Sequence, residues 1–186
     1  MAVQPQPYRF TVEEYYRMAE AGILGEDDRV ELIEGEIIAM APIGSPHAGC
    51  VTRLTELFIR GVEGRATVIV QNPVRLDGHT EPQPDLMLAR RRDDFYRERH
   101  PGPDDVLLLV EVADPSGRYD RGVKLPLYAS AGIPEVWVID LIQHRLEAYR
   151  SPSPDGYGEV LELGAGDRVA PIAFEDLLIE VGELAG

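Results

Sequence analysis

Two short apolar segments of this chain each carry a single acidic side chain, and this pattern constrains the fold more than any other feature. Asp85 lies in the first segment, residues 84–88, and Glu111 lies in the second, residues 107–112. Short apolar runs bounded by breaking residues predict buried strands. A buried carboxylate is costly unless a partner compensates its charge, and a divalent cation is one such partner. The pattern predicts a sheet that carries two acids.

The alternation of side chains along a strand indicates how these two acids could meet. Glu111 shares a face with residues 107 and 109, so it meets Asp85 at one end of the sheet if the strands are neighbours. Two carboxylates and a backbone carbonyl suit Mg²⁺ or Mn²⁺. Lys124, in a predicted helix, could stabilise phosphate charge or orient a nucleophile. The alternative is that Asp85 is a turn residue and Glu111 an ion-paired structural acid.

Length and charge narrow the class of protein. The 186 residues fit one domain, and the single cysteine, Cys50, excludes an internal disulfide framework and a cysteine-rich zinc site. The net charge of −15 argues against tight non-specific DNA binding, which depends on Lys and Arg. No apolar run approaches the ~18–20 residues of a membrane span. Residues 1–7 lack the regions of a signal peptide, so we expect a cytoplasmic protein.

The order of predicted elements favours an α/β fold, a mixed sheet with flanking helices. Thr11 and Glu14 form a capping-box pattern for a first helix, and residues 30–40 predict a hairpin around Glu34-Gly35. Ser45 is the predicted cap of a second helix, whose apolar stripe includes Cys50. Further segments are predicted as strands or helices, namely residues 67–70, 74–76, 119–131, 136–139, 146–149, 160–163 and 174–181.

Several motifs, taken in order and spacing, resemble the Uma-type family of putative restriction endonucleases, a bacterial branch of the PD-(D/E)XK nuclease superfamily. The motifs are QPD at 83–85, LVEV at 109–112, Asp120, Lys124, LYA at 127–129 and GIPEVWVID at 132–140. ELIEGE at 31–36 and SPH at 45–47 match as well. The resemblance covers roughly residues 8 to 150.

The resemblance implies a restriction-endonuclease-like fold and metal-dependent cleavage of DNA. It implies a single domain over residues 1–186, with an N-terminal helix and hairpin, a nuclease core at about 45–150 and a C-terminal extension at 151–186. Asp85 and Glu111 become the ligands of Mg²⁺ or Mn²⁺. The superfamily's usual lysine follows the second acid by two residues, where Ala113 stands, so Lys124 takes that role.

Other residues are candidates for supporting roles, each with a structural alternative. An outer metal contact is expected among Glu31, Glu36, His47 and Asp120. The alternatives are solvated turn acids, a structural histidine and a helix-face pair between Asp120 and Lys124. Arg90, Arg91 and Arg92 are candidate phosphate contacts or part of a solvated loop. Pro126 requires a helix that begins near Gly122 or Val123, with Lys124 at its start.

The leading hypothesis is a Mg²⁺-dependent DNA endonuclease in which Asp85, Glu111 and Lys124 are catalytic. One alternative is a nuclease fold used as a binding or regulatory module, which the net charge of −15 and Ala113 favour. Another is metal-dependent hydrolysis of a small phosphoester. By analogy with restriction-type nucleases we also expect a homo-oligomer, with a dimer favoured, and no membrane partner.

Overall fold

The computed structural model describes residues 6–25, 27–113 and 119–185, except for the side chains of Asp120 and Ala185. Residues 114–118 and the side chain of Asp120, a predicted outer metal contact, therefore lie outside the described part of the chain. The helices that it contains are α1 (Val12–Glu20), α2 (Ser45–Val62), α3 (Leu125–Ser130) and α4 (Gly182–Ala185). No helix of this described part is long and apolar enough to cross a membrane.

A six-stranded mixed sheet with flanking helices forms the centre of the molecule, as the sequence predicts. Its strands, in spatial order, are β3 (Ala66–Val70), β4 (Leu86–Arg90), β5 (Val106–Ala113), β6 (Glu135–Asp140), β7 (Arg145–Ser153) and β8 (Gly156–Gly164). The pair β5 and β6 is parallel and the other neighbouring pairs are antiparallel. Apolar side chains cover both faces of the sheet, with α2 on one face and α3 on the other.

The N-terminal elements are a helix and a two-stranded hairpin, which is separate from the central sheet and packs beside it. The predicted capping box is present at α1, where Thr11 and Glu14 bond reciprocally. Strands β1 (Val30–Ile33) and β2 (Glu36–Ala39) pair across Glu34 and Gly35, whose φ angles of 49° and 76° suit a tight hairpin turn. The Glu81 N–H donates to the Leu32 carbonyl at 2.7 Å. This bond holds β1 against the segment that leads into β4.

Helix α2 begins one residue earlier than the predicted cap at Ser45 implies. Its N-cap is Gly44, which offers no side-chain acceptor, and Ser45 is the first helical residue. The buried stripe is as expected, with His47, Cys50, Val51, Leu54 and Phe58 against the sheet. The helix ends at Glu63, whose φ of 47° is left-handed. The first turn of α2 places His47 next to Asp85, which lies just before the start of β4.

The segment predicted as a helix over residues 119–131 is interrupted by a wide turn. Asp120–Lys124 forms a π-helical turn, and the α-helical part begins at Leu125. Pro126 explains the change, because proline lacks the N–H for an α-helical bond and its ring clashes with the carbonyl four residues back. Lys124 accordingly lies at the junction of the two parts, close to the helix start that the sequence required.

The remaining predicted segments fall partly in strands. Residues 74–76 do not form a strand, since Val74 and Leu76 donate instead to Pro82 and Thr80 within a local turn. After β7, strand β8 continues the same sheet beyond residue 151. The chain then adds the two-stranded sheet of β9 (Arg168–Val169) and β10 (Ile179–Glu180).

Candidate active site

The ends of β1, β4 and β5 open into one cleft of about 250 Å³ that is lined by acids and a lysine. The ladder between β4 and β5 pairs Leu86 with Val110, so Asp85 falls opposite Glu111 on the next rung. Opposed residues on antiparallel strands bring their Cβ atoms within about 5.5 Å. The cleft lining includes Glu31, His47, Asp85, Glu111 and Lys124. The structure thus brings together the three residues predicted to be catalytic.

Asp85 is oriented by groups from three different elements. Its Oδ2 atom accepts the Val112 N–H at 2.8 Å and lies 3.0 Å from His47 Nε2. Its Oδ1 atom accepts from the Gln71 side-chain amide at 3.3 Å. Gln71 has a left-handed φ of 49°, an unusual conformation for a residue other than glycine. These contacts from β5, α2 and the turn after β3 hold the Asp85 carboxylate in one orientation, as electrostatic preorganisation requires.

Lys124 is buried between two glutamates that come from distant parts of the chain. Its Nζ atom lies 3.1 Å from Glu31 Oε2 and 3.5 Å from Glu111 Oε1. Glu31 Oε2 also accepts the Gln83 N–H at 3.1 Å. Breaking a buried ion pair by removing one partner leaves an uncompensated charge, so these three side chains depend on one another. The hairpin that carries Glu31 is therefore part of the site.

Tyr128 completes the surroundings of Glu111, and its role was not foreseen from the sequence. Its hydroxyl donates to Glu111 Oε1 at 2.6 Å, and both side chains are buried. The signal was present, because residues four apart on a helix share a face, and Tyr128 follows Lys124 by four. Gln71 was also missed, because its contact with Asp85 depends on the turn after β3.

The donor set fits a hard divalent cation that keeps most of its water. Mg²⁺ is bound in proteins through one or two carboxylates while several waters remain, and Asp85 and Glu111 supply such oxygens. Among residues 6–25, 27–113 and 119–185, no group of three or more His, Cys, Asp or Glu side chains is arranged to hold a metal ion. Lys124 explains this in part, since its ammonium lies between Glu31 and Glu111.

The other predicted contributors lie in different places. Glu36 pairs with Arg9 at 2.6 Å on the outside of the hairpin and does not line the cleft. His47 and Glu31 do line it. Cys50 packs in the core, where burial and then the nearby Asp85 charge raise the thiol pKa to about 12. A thiol with such a pKa does not serve as a nucleophile at neutral pH.

The arginines predicted as phosphate contacts are at the opposite end of β4 from Asp85. Arg90 donates to the Asp104 carbonyl at 2.9 Å, and Arg92 binds Asp94 with two bonds of 2.8 Å. The Arg91 guanidinium lies 4.9 Å from the centre of the Phe95 ring. All three side chains are engaged within their own loop, and none of them lines the cleft.

Comparison with known proteins gives a family and a fold. A family model described as "Uma2: Putative restriction endonuclease" matches residues 12–182. The crystal structure of a putative nuclease of the DUF820 family from Anabaena variabilis superposes with a TM-score of 0.73 at 17% sequence identity. The match covers 95% of this chain and 97% of that one, which shows that the two share a fold. No curated protein sequence matches this chain.

Proposed function

We propose that this chain, which belongs to the Uma2 family of putative restriction endonucleases, is a Mg²⁺-dependent enzyme that hydrolyses DNA phosphodiester bonds. The family and the shared nuclease fold support a nuclease-like function. The observation that carries the proposal is that Asp85, Glu111 and Lys124 all line one cleft at the ends of β4 and β5. The site residues are Asp85, Glu111 and Lys124.

The choice of lysine at position 124 is informative in a chain that otherwise uses arginine. Of its 18 Lys and Arg residues, Lys124 is the only lysine. Arginine suits fixed, bidentate ion pairs, whereas an ammonium is a compact charge whose proton affinity is readily adjusted by burial. A purely structural pair between two glutamates would not require this exception. The exception supports a chemical role for Lys124.

Each residue of the site has a task in phosphodiester hydrolysis. Asp85 and Glu111 would hold Mg²⁺, which activates water and offsets charge on the phosphate when it is bound. Val112, Gln71 and His47 fix the Asp85 carboxylate, and Tyr128 fixes Glu111. Lys124 places a positive charge beside the cleft, where it stabilises the phosphate or orients the attacking water. Glu31 keeps the Lys124 ammonium in position.

A second candidate is the same fold acting as a binding or regulatory module without hydrolysis. The ion pairs of Lys124 with Glu31 and Glu111 favour it, because they compensate those charges without a metal. The net charge of −15 favours it as well, since it weakens attraction to DNA. This candidate predicts a correctly folded protein that cleaves no nucleic acid.

The two candidates are separated by a DNA cleavage assay on the purified chain. Supercoiled plasmid is incubated with Mg²⁺ or Mn²⁺, beside EDTA, with the wild type, Asp85→Ala, Glu111→Gln and the control Glu162→Gln. Glu162 carries an exposed carboxylate on β8, outside the cleft. We expect nicking by the wild type and the control that is lost with EDTA and with both site variants. Cleavage that persists in Asp85→Ala would contradict the proposed site.

A further inference from the structure

We infer that the strand cut at this site is unpaired, so that the substrate class is single-stranded DNA or an unpaired segment of a longer DNA. The inference rests on the proposed nuclease function and names its substrate. It follows from how deep the acids lie, from an apolar wall that faces them and from the distribution of positive charge.

The groups proposed to do chemistry are recessed below the surface. Glu111 is 3% exposed, Lys124 is 5% exposed and the side chain of Asp85 is 15% exposed. A scissile phosphate must therefore enter the cleft, whose volume of about 250 Å³ has room for roughly one nucleotide. The phosphates of a duplex lie on the outside of a stiff double helix, so one of them reaches a recess of this size only if the duplex is bent or locally opened, which costs free energy. An unpaired strand is flexible and bends into the cleft without that cost.

One wall of the cleft is apolar and is built by the segment that links the hairpin to α2. Met40, Pro42 and Ile43 line the cleft from this segment, Ile38 lines it from β2, and Tyr119 lines it as well. Arg29 fixes the segment, because its carbonyl accepts the Met40 N–H at 2.8 Å and its guanidinium donates to the Ala41 carbonyl at 3.2 Å. Apolar and aromatic side chains stack on unpaired bases of any sequence.

The basic side chains at the cleft are already bound to other groups of the protein, which disfavours binding of a DNA duplex. Affinity for duplex DNA comes largely from several Lys and Arg side chains that neutralise phosphates along its backbone. Within residues 6–25, 27–113 and 119–185, the basic side chains that line the cleft are Arg29 and Lys124, besides His47. Arg29 is bound to the Ala41 carbonyl and Lys124 to two glutamates. Stacking on an apolar wall does not depend on net charge, so it favours an unpaired strand over a duplex.

A groove beside the cleft offers a place for the adjoining nucleotide. It lies along α2, has a volume of about 470 Å³ and shares Ile43 with the cleft. Val51, Thr55, Val70 and Gln71 are among the residues that line it. Gln71 also donates to Asp85, so the groove leads directly to the proposed catalytic acids. An unpaired strand could cross Ile43 between the two spaces.

The test compares one DNA sequence in paired and unpaired form. A fluorescent oligonucleotide without self-complementarity is given to the wild type with Mn²⁺ as a single strand, as a blunt duplex and as a duplex with an unpaired tail. Affinity is measured separately by fluorescence anisotropy in Ca²⁺. We expect cleavage of the single strand to be at least about tenfold faster than that of the duplex, with cuts in the tail, and tighter binding of the single strand.

The wall is tested with Ile43→Ser, beside the control Ile142→Ser at another exposed isoleucine outside the cleft. We expect Ile43→Ser to cleave the single strand about five- to tenfold more slowly than the wild type, and the control to cleave it at the wild-type rate. Equal or faster cleavage of the blunt duplex would overturn the inference and leave the proposed function intact. Absence of all cleavage would overturn the proposed function, and equal binding of both DNA forms would then overturn the inference as well.

Discussion

Glu111 and Glu135 look alike in the sequence, but in the fold Glu111 lines a cleft and Glu135 is enclosed by its hydrogen-bond partners. Each is an acid in an apolar strand, and their strands, β5 and β6, are parallel neighbours. Glu135 is 0% exposed, and its oxygens accept from the Trp137 indole at 2.9 Å, the Arg150 guanidinium at 2.9 Å and the Ile172 N–H at 2.7 Å. Glu111 instead borders a cleft.

The difference between these two acids is one of position and of partner. Glu135 begins β6, whereas Glu111 lies near the carboxyl end of β5, the end at which ligands bind in open α/β sheets. The partner of Glu135 is an arginine, which suits a fixed pair, and the partner of Glu111 is the only lysine. Glu111 borders the cleft and pairs with the lysine, so we assign the proposed chemical role to it and a structural role to Glu135.

The sharpest test of this comparison is a matched pair of amide substitutions. We expect Glu111→Gln to reduce the DNA cleavage rate by about 10³-fold, because it removes the charge of a proposed metal ligand. Glu135→Gln should leave the rate of the folded protein unchanged. The measurement is initial rate of plasmid nicking in saturating Mn²⁺ at a temperature where circular dichroism shows both variants folded. An equal loss in both variants would break the distinction.

Substitution of Glu135, which should not affect the cleavage rate, should instead lower the stability of the fold. Glu135→Ala leaves the Arg150 guanidinium and the Trp137 and Ile172 donors without their acceptor, so we expect the free energy of unfolding to fall by about 3 kcal/mol. For a chain of this size that corresponds to a melting temperature lower by roughly 6–12 °C. Urea denaturation checks it, with Glu162→Ala as the exposed control. A fall below about 1 kcal/mol would contradict the structural role of Glu135.

Lys124→Met separates the two roles of the lysine. Removing the ammonium leaves Glu31 and Glu111 buried without their cation, so we expect lower stability in EDTA that Mg²⁺ partly restores by binding the acids. Cleavage should fall by about 10²-fold even in saturating metal, because the lysine charge is absent from the transition state. Thermal unfolding with and without Mg²⁺ is measured beside nicking. Full activity in this variant would show that Lys124 is structural.

The sequence predicts the pieces of this site better than their arrangement. Asp85 and Glu111 stand out because each is the lone acid of an apolar segment, and Lys124 stands out because the order of the three residues resembles that of a nuclease family. The ion pair of Glu31 with Lys124 joins residues far apart in the chain and depends on how the hairpin leans on the sheet. The π-helical turn that sets the reach of Lys124 follows from Pro126, whose restriction the sequence did reveal.

Other features could not be read from the sequence because they depend on tertiary pairing. Arg90, Arg91 and Arg92 look like a basic cluster, yet β4 carries them to the end of the strand opposite Asp85. The fold class follows from strand and helix patterns, but the register that sets Asp85 opposite Glu111 is a property of the assembled sheet. The spacing of Tyr128 from Lys124 places both on one helix face, but the hydrogen bond of the Tyr128 hydroxyl to Glu111 depends on how α3 packs against β5.

The smallest expected effect concerns Tyr128 as a positioning residue for Glu111. Tyr128→Phe removes the 2.6 Å hydrogen bond to Oε1 while it keeps the ring in the core. Groups that orient a metal ligand typically change metal affinity by about 10- to 100-fold when lost. We expect the Mn²⁺ concentration for half-maximal cleavage to rise about tenfold, with a smaller change in the rate at saturating metal.

Tyr157→Phe is the matched control for this variant, since its hydroxyl donates to the Ile133 carbonyl away from the cleft. Both variants lose one hydrogen bond, so each should lower the free energy of unfolding by about 1 kcal/mol. Only Tyr128→Phe should shift the Mn²⁺ dependence. If the two variants shift it equally, Tyr128 acts through stability alone, and Glu111 would then resemble Glu135 more closely than its position at the cleft implies.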